Sequence, residues 1–381
     1  MKKTWIVILV FFVTFNIFNK VEASEKPKLT IASETAVLVD SKTGKVLYEK
    51  NAFQRMYPAS LTKIATAIYA IENGNLNDKI EIGKNVQHTE GTKVYLVEGE
   101  QVTLKHLIQG LLINSGNDAG VAIAEYMNGS VSKFADQLNK LLINEVGVSA
   151  TNFVNPHGLF DKDHYTTAYD LAKITNYAIK NKTFKKIFGT KELKWNGKEW
   201  KTTLITHHLM LRGDYEYKEV TGGKTGYVDK SGQTLATTAE NKKIHLTVIT
   251  MNAKTKRDAY TDTKKLLDYG FKHFETSSLP KGETFTVGGN VYKTPRDIVY
   301  TKPLNGAVSK DVSKDGILKI IDKKGDSLES YQLFPIQVKA THEDSVKYVT
   351  KASNDNKWFS FIIILLIILG AASIFKRIVF K

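Results

Sequence analysis

The chain has 381 residues, with 54 Lys and Arg against 39 Asp and Glu for a formal charge of +15, and no cysteine. That length predicts two domains once the ends are set aside, and the absence of thiols excludes disulfides, thiol catalysis and cysteine metal sites. The nine histidines have no metal-ligand spacing, which argues against a zinc peptidase, and adjacent His207 and His208 would point different ways on a helix or a strand. The excess charge is spread along the chain as lysine. It suits a polyanionic envelope, anionic lipid or a merely solvated surface, and no nucleic-acid partner is expected.

Residues 1–23 read as a cleaved signal peptide, with Lys2 and Lys3, an apolar run from Trp5 to Phe18 and a small-residue exit at Ala23. A polar linker follows, and Thr35 to Asn51 reads as a hairpin turning at Asp40 to Gly44. Pro58 to Gly74 reads as a helix: Pro58 suits its first turn, the run from Ile64 to Ile71 lacks strand alternation, and Gly74 can close it. In that helix Ser60 and Lys63 are three apart and share a face. A serine needs a base to become nucleophilic, and a lysine kept neutral by burial or a nearby cation can be that base. The positive end of the helix favours an oxyanion near Ser60.

Residues 75–103 read as short strands and turns. Helical periodicity from Leu104 to Met127 is broken at Asn114 to Asp118, a polar string that helix interiors avoid. The break would present Ser115 and Asn117 on a tight inter-helix loop, or serve as an ordinary N-cap. Further helices are expected over Ser132 to Glu145 and Tyr169 to Asn181, with a turn-rich loop at Asn155 to Leu159; Lys182 to Tyr217 carries no assignable pattern. Gly222 to Tyr227 leads into strands at Gln233 to Ala239 and His245 to Met251, then an amphipathic helix over Lys256 to Phe274. Helices on an antiparallel sheet make an α+β domain, placed at residues 24–277. Residues 278–340 read as a small all-β domain and 341–357 as a polar stalk. The apolar run from Trp358 to Phe375, followed by Lys376 and Arg377, reads as a transmembrane anchor with a cytoplasmic tail at 376–381. The catalytic bulk is then expected outside the cell.

Three short motifs carry the chemistry: S-x-x-K at Ser60 to Lys63, S-x-N at Ser115 to Asn117, and K-T-G at Lys224 to Gly226. Each alone is weak, since Ser130 to Lys133 repeats the first and Lys42-Thr43-Gly44 repeats the third. The copy at Lys224 differs because it opens a strand run behind two glycines, where a ligand backbone can approach closely. The specific signal is all three in this order in an exported chain.

With the stretches DSKTGKVLYEKN, PASLTK, INSGNDAGVAIAE, NFVNPHGL, YTTAYDLA and GGKTGY, this order resembles the low-molecular-mass penicillin-binding proteins of the D-alanyl-D-alanine carboxypeptidase type. The resemblance runs from about Thr30 to Glu275. It implies a penicillin-binding/β-lactamase-like domain, an antiparallel sheet flanked by helices. It implies catalytic roles for Ser60 as nucleophile, Lys63 as base and Ser115 as proton relay, with no metal and no cofactor. Asn117, Lys224, Thr225, Gly226 and Tyr227 would bind substrate, with the N–H groups of Ser60 and Tyr227 forming an oxyanion hole. The implied partners are peptidoglycan stem peptides ending in D-Ala-D-Ala, with β-lactams as covalent inhibitors. The His207-His208 pair and Ser231-Gly232 depart from the family's pattern. A transpeptidase using the same acyl-enzyme and a catalytically silent wall-binding scaffold are the alternatives. A class A β-lactamase would need a glutamate-held water, and the loop TNFVNPHGLF has no glutamate, so β-lactams are expected to acylate stably.

Overall fold

The structure, a computed structural model, describes residues 29–336. The leader at 1–23, the last residues of the β domain (337–340), the stalk at 341–357, the apolar segment 358–375 and the tail at 376–381 lie outside the described residues. Among those described, no helix is long and apolar enough to cross a membrane.

At the centre is a five-stranded antiparallel sheet. Its strands are β1 (Thr35–Asp40), β2 (Val46–Lys50), β7 (Val220–Val228), β8 (Gly232–Glu240) and β9 (His245–Ala253), in the order β2-β1-β9-β8-β7. Both faces are covered, and the strand period of two sorts the side chains between them. Val37 and Val39 join the large helical core with Ile249 and Met251, whereas Ala36 and Leu38 pack with Leu246, Val248, Leu266 and Leu267. The last two belong to the long helix Lys256–His273, entered through a capping box in which Thr255 and Asp258 satisfy each other's backbone N–H.

On the other face the helices surround α1 (Thr62–Asn73), whose residues from Thr62 to Ala70 are all buried. Lys63 is the one charged side chain in that run. Ser60 itself lies just ahead of α1, in a single 3₁₀ turn over Ala59–Leu61, so the expected continuous helix from Pro58 is split in two. Gly74 does cap α1, but its backbone is extended. A Cβ there would lie 2.4 Å from Leu104 Cδ2, so close packing, not a left-handed turn, requires the glycine.

Next come β3 (Lys79–Glu81), β4 (Gln101–Thr103), α2 (Leu104–Ile113), α3 (Asn117–Asn128) and α4 (Val131–Leu141). Asn117 is the first residue of α3, not a loop residue, and Ser115 precedes it with φ +63°. The second S-x-x-K is resolved here. Ser130 caps α4 by accepting the Lys133 backbone N–H at 3.3 Å, and Lys133 is exposed. After α5 (Ala168–Ala178), the region without a pattern forms α6 (Lys182–Phe188), a hairpin of β5 (Glu192–Asn196) and β6 (Lys201–Ile205), and the short α7 (Leu209–Arg212). The helix Lys256–His273 is α8.

Seven strands follow α8, from β10 (Phe274–Leu279) to β16 (Ser327–Gln332), around their own apolar cluster of Leu279, Tyr292, Ile298, Tyr300, Leu318 and Ile320. The first K-T-G lies where this region meets the sheet. Thr43 Oγ1 is 2.6 Å from Thr301 Oγ1, and buried Asp40 accepts from the hydroxyls of Thr276 at 2.7 Å and Thr301 at 2.8 Å. That copy is a structural joint.

Candidate active site

The site forms where the 3₁₀ turn, the α2–α3 junction and edge strand β7 converge. A Cβ on Gly226 would lie 2.8 Å from Ser60 N and 3.1 Å from Ala59 Cβ. Only a glycine lets β7 run this close to the Ser60 turn. Thr234 on the neighbouring strand donates to Pro58 O at 3.1 Å and fastens the turn to the sheet.

Lys63 Nζ is 2.7 Å from each of three oxygens: Ser60 Oγ, Asn117 Oδ1 and the carbonyl of His157. The Asn117 amide orientation is set independently, because its Nδ2 donates to Glu90 O at 2.7 Å. Burial holds the Lys63 amine well below its ordinary pKa. The charge of Lys224 adds to this, and Asp118 opposes it. A neutral amine has two hydrogens and one lone pair. The Asn117 and His157 oxygens can only accept, so they take both hydrogens. The lone pair is left facing the Ser60 hydroxyl.

Ser115 is held in the left-handed region, where a non-glycine backbone stores strain. Its Oγ accepts from Lys224 Nζ at 3.0 Å. Ser115 therefore meets Lys224, and Asn117 meets Lys63, so the two motif residues divide between the two lysines. Lys224 is buried, which lowers its pKa to about 7, and it also donates to Thr225 O at 2.8 Å. A cavity of about 510 Å³ is lined by Ser60, Ser115, Thr225, Gly226 and Tyr227, so all three motifs open onto one space.

The two histidines at 207 and 208 do point apart. His207 lines the cavity, while His208 is buried and bonds Thr237 Oγ1 at 2.8 Å. A Cβ on Gly223 would lie 2.3 Å from the His208 ring, so His208 packs directly against β7. Sequence reasoning assigned no role to His157, Asp118 or His164. Buried Asp118 accepts from the N–H groups of Val94, Leu96 and Ala119, and so ties the loop beside the cavity to α3.

Residues 20–255 match the family described as D-alanyl-D-alanine carboxypeptidase, peptidase S11. The D-alanyl-D-alanine carboxypeptidase DacF of Bacillus subtilis is 31% identical over 317 residues, 81% of this chain and 80% of that one. DacA of Haemophilus influenzae is 34% identical over 269 residues, 65% of this chain and 63% of its own. Among solved structures, penicillin binding protein 5 from Haemophilus influenzae superposes with a TM-score of 0.72 at 28% identity, covering 81% of this chain and 97% of that chain. A mutant of the Streptomyces K15 DD-transpeptidase gives 0.60 at 27% identity over 64% of this chain and 99% of its own. The chain belongs to the S11 family of D-alanyl-D-alanine carboxypeptidases.

Proposed function

We propose that this enzyme removes the terminal D-alanine from peptidoglycan stem pentapeptides through an acyl-enzyme on Ser60. Lys63, neutral at rest, takes the Ser60 proton as Oγ attacks the carbonyl between the two D-alanines. The backbone N–H groups of Ser60 and Tyr227 receive the developing oxyanion, a contribution on the order of several kcal/mol. Ser115 relays the proton taken by Lys63 to the leaving amine, supported by Lys224 at its hydroxyl, so that Ser115 keeps a proton and Lys63 is neutral again for the water step. Lys224 and the Thr225 hydroxyl bind the terminal carboxylate. Water then releases the shortened peptide and restores Ser60. The observation that carries this reading is the trio of oxygens around Lys63, which leaves its lone pair to one partner.

Among the described residues the cavity lining contains no Asp or Glu, which supports slow deacylation of β-lactams. Incubation with a labelled penicillin should therefore give a stable covalent adduct on the wild-type protein and none on Ser60→Ala. A label independent of Ser60 would defeat the assignment, and rapid release of hydrolysed drug would make the enzyme a β-lactamase. A pentapeptide given with a competing amine should yield mainly tetrapeptide and D-alanine; mainly aminolysed product would favour the transpeptidase. The leader at 1–23 and the apolar segment 358–375 support a site outside the cell, tethered by the tail. Deleting residues 358–381 should move the protein from the membrane to the soluble fraction, and an unchanged membrane fraction would refute the tether.

A further inference from the structure

The peptide unit between Ala59 and Ser60 has two ends, and only one faces the cavity. Its N–H is the proposed oxyanion donor. Its carbonyl oxygen points the opposite way, as planarity of the unit requires. Ala59 adopts φ +48°, an uncommon conformation for a residue with a Cβ, so something must hold the unit there.

The Ala59 carbonyl is held from behind by the Thr62 backbone N–H, the Thr62 hydroxyl and Gly158. Thr62 Oγ1 donates to Ala59 O at 2.9 Å, and the same hydroxyl lies 2.8 Å from His164 Nε2. His164 Nδ1 accepts the Val154 N–H at 3.1 Å, which places the ring proton on Nε2, facing Thr62. The hydrogen bonds thus run in one direction, from His164 through Thr62 to the Ala59 carbonyl. Gly158, at φ +89°, packs against that oxygen so tightly that a Cβ would lie 1.8 Å from it. Thr62 is fully buried and His164 nearly so, and the imidazole stacks on Phe153 at 5.0 Å. Burial, as the largest cause, lowers the His164 pKa to about 4, so the ring stays neutral near pH 7.

We propose that His164 and Thr62 are positioning residues for the oxyanion hole: by bonding the carbonyl end of the Ala59–Ser60 peptide they aim and polarise its N–H. A bonded carbonyl strengthens the donor at the other end of the same amide. The inference rests on the acyl-enzyme reading above. Neither residue touches the reacting atoms, so each acts on the transition state through the backbone of residue 60.

Thr62→Val and His164→Asn break the same hydrogen-bond chain at different links, and His164→Gln keeps a donor near the Nε2 position. In the full-length enzyme, the first two should lower kcat and the penicillin acylation rate by on the order of tenfold or more. They should weaken a peptide boronic acid, which places a tetrahedral oxygen in the hole, by a similar factor, while KM moves less than about twofold. His164→Gln should restore most of the rate lost in His164→Asn, with thermal unfolding confirming that the variants are folded. Folded Thr62→Val and His164→Asn acylating at the wild-type rate would overturn the proposal. So would a loss confined to KM, or His164→Gln as slow as His164→Asn. A wild-type protein that penicillin does not acylate would instead sink the Ser60 reading itself.

Discussion

Lys63→Ala is expected to slow acylation of Ser60 by on the order of a thousandfold, the scale at which a positioned general base contributes. The amine is 2.7 Å from Ser60 Oγ, and its other two contacts consume its hydrogens, so no other group in the described network is placed to take the serine proton. The loss should be the same for penicillins, for peptides ending in a free carboxylate and for their amides, because all need the nucleophile. Lys224→Ala should separate these substrates, weakening the carboxylate forms far more than the amides. The wild-type preference for a carboxylate should also fade as pH rises past about 7, where Lys224 loses its proton. Acylation rates for a peptide and its amide across pH 6 to 9 would test both lysines. Near-normal turnover by Lys63→Ala, or equal losses on both substrates in Lys224→Ala, would remove the roles assigned here.

How legible this site was in the sequence depends on what each residue does. Ser60, Lys63, Ser115, Asn117 and Lys224 announce themselves because the proposed chemistry needs their side-chain types, which fall in short motifs. The sheet and the main helices were legible for a related reason: strands such as β1 and helices such as α1 bury long apolar runs. The 3₁₀ turn was not, because nothing about an alanine at position 59 signals a positive φ. Nor was the Thr62–His164 bond, which joins residues 102 apart in the chain. The β5–β6 hairpin escaped notice because each of its strands buries only one side chain fully, Trp195 and Leu204. The two repeated motifs show the converse. Ser130 caps a helix, and Thr43 joins two parts of the fold, so matching residue types served packing and capping instead of catalysis.

Acidification from pH 7 to 5 should destabilise the fold by on the order of 5 kcal/mol, read as a shift in urea midpoint. His157, His164 and His208 are buried, and burial is the first cause lowering their pKa values to about 3, 4 and 3. In the unfolded chain each titrates near 6.5. Below that pH the unfolded state binds protons that the native state refuses, so stability is present above about 6.5 and falls as pH drops toward 4. Each ring contributes about 2 kcal/mol over this interval. Asp118, whose pKa burial raises, acts in the opposite sense. His207, lowered to about 4 with burial the first cause, adds in the same sense as the three rings, and His164→Gln, which removes one titrating ring, should reduce the pH dependence by roughly 2 kcal/mol. A urea midpoint unchanged between pH 7 and 5 would contradict this account. Protonation removes the Nδ1 acceptor that takes the Val154 N–H on His164 and the Leu159 N–H on His157, so the loop that supplies the His157 carbonyl to Lys63 and the ring that faces Thr62 lose their anchors. Penicillin labelling should fall along the same acid transition as the fold.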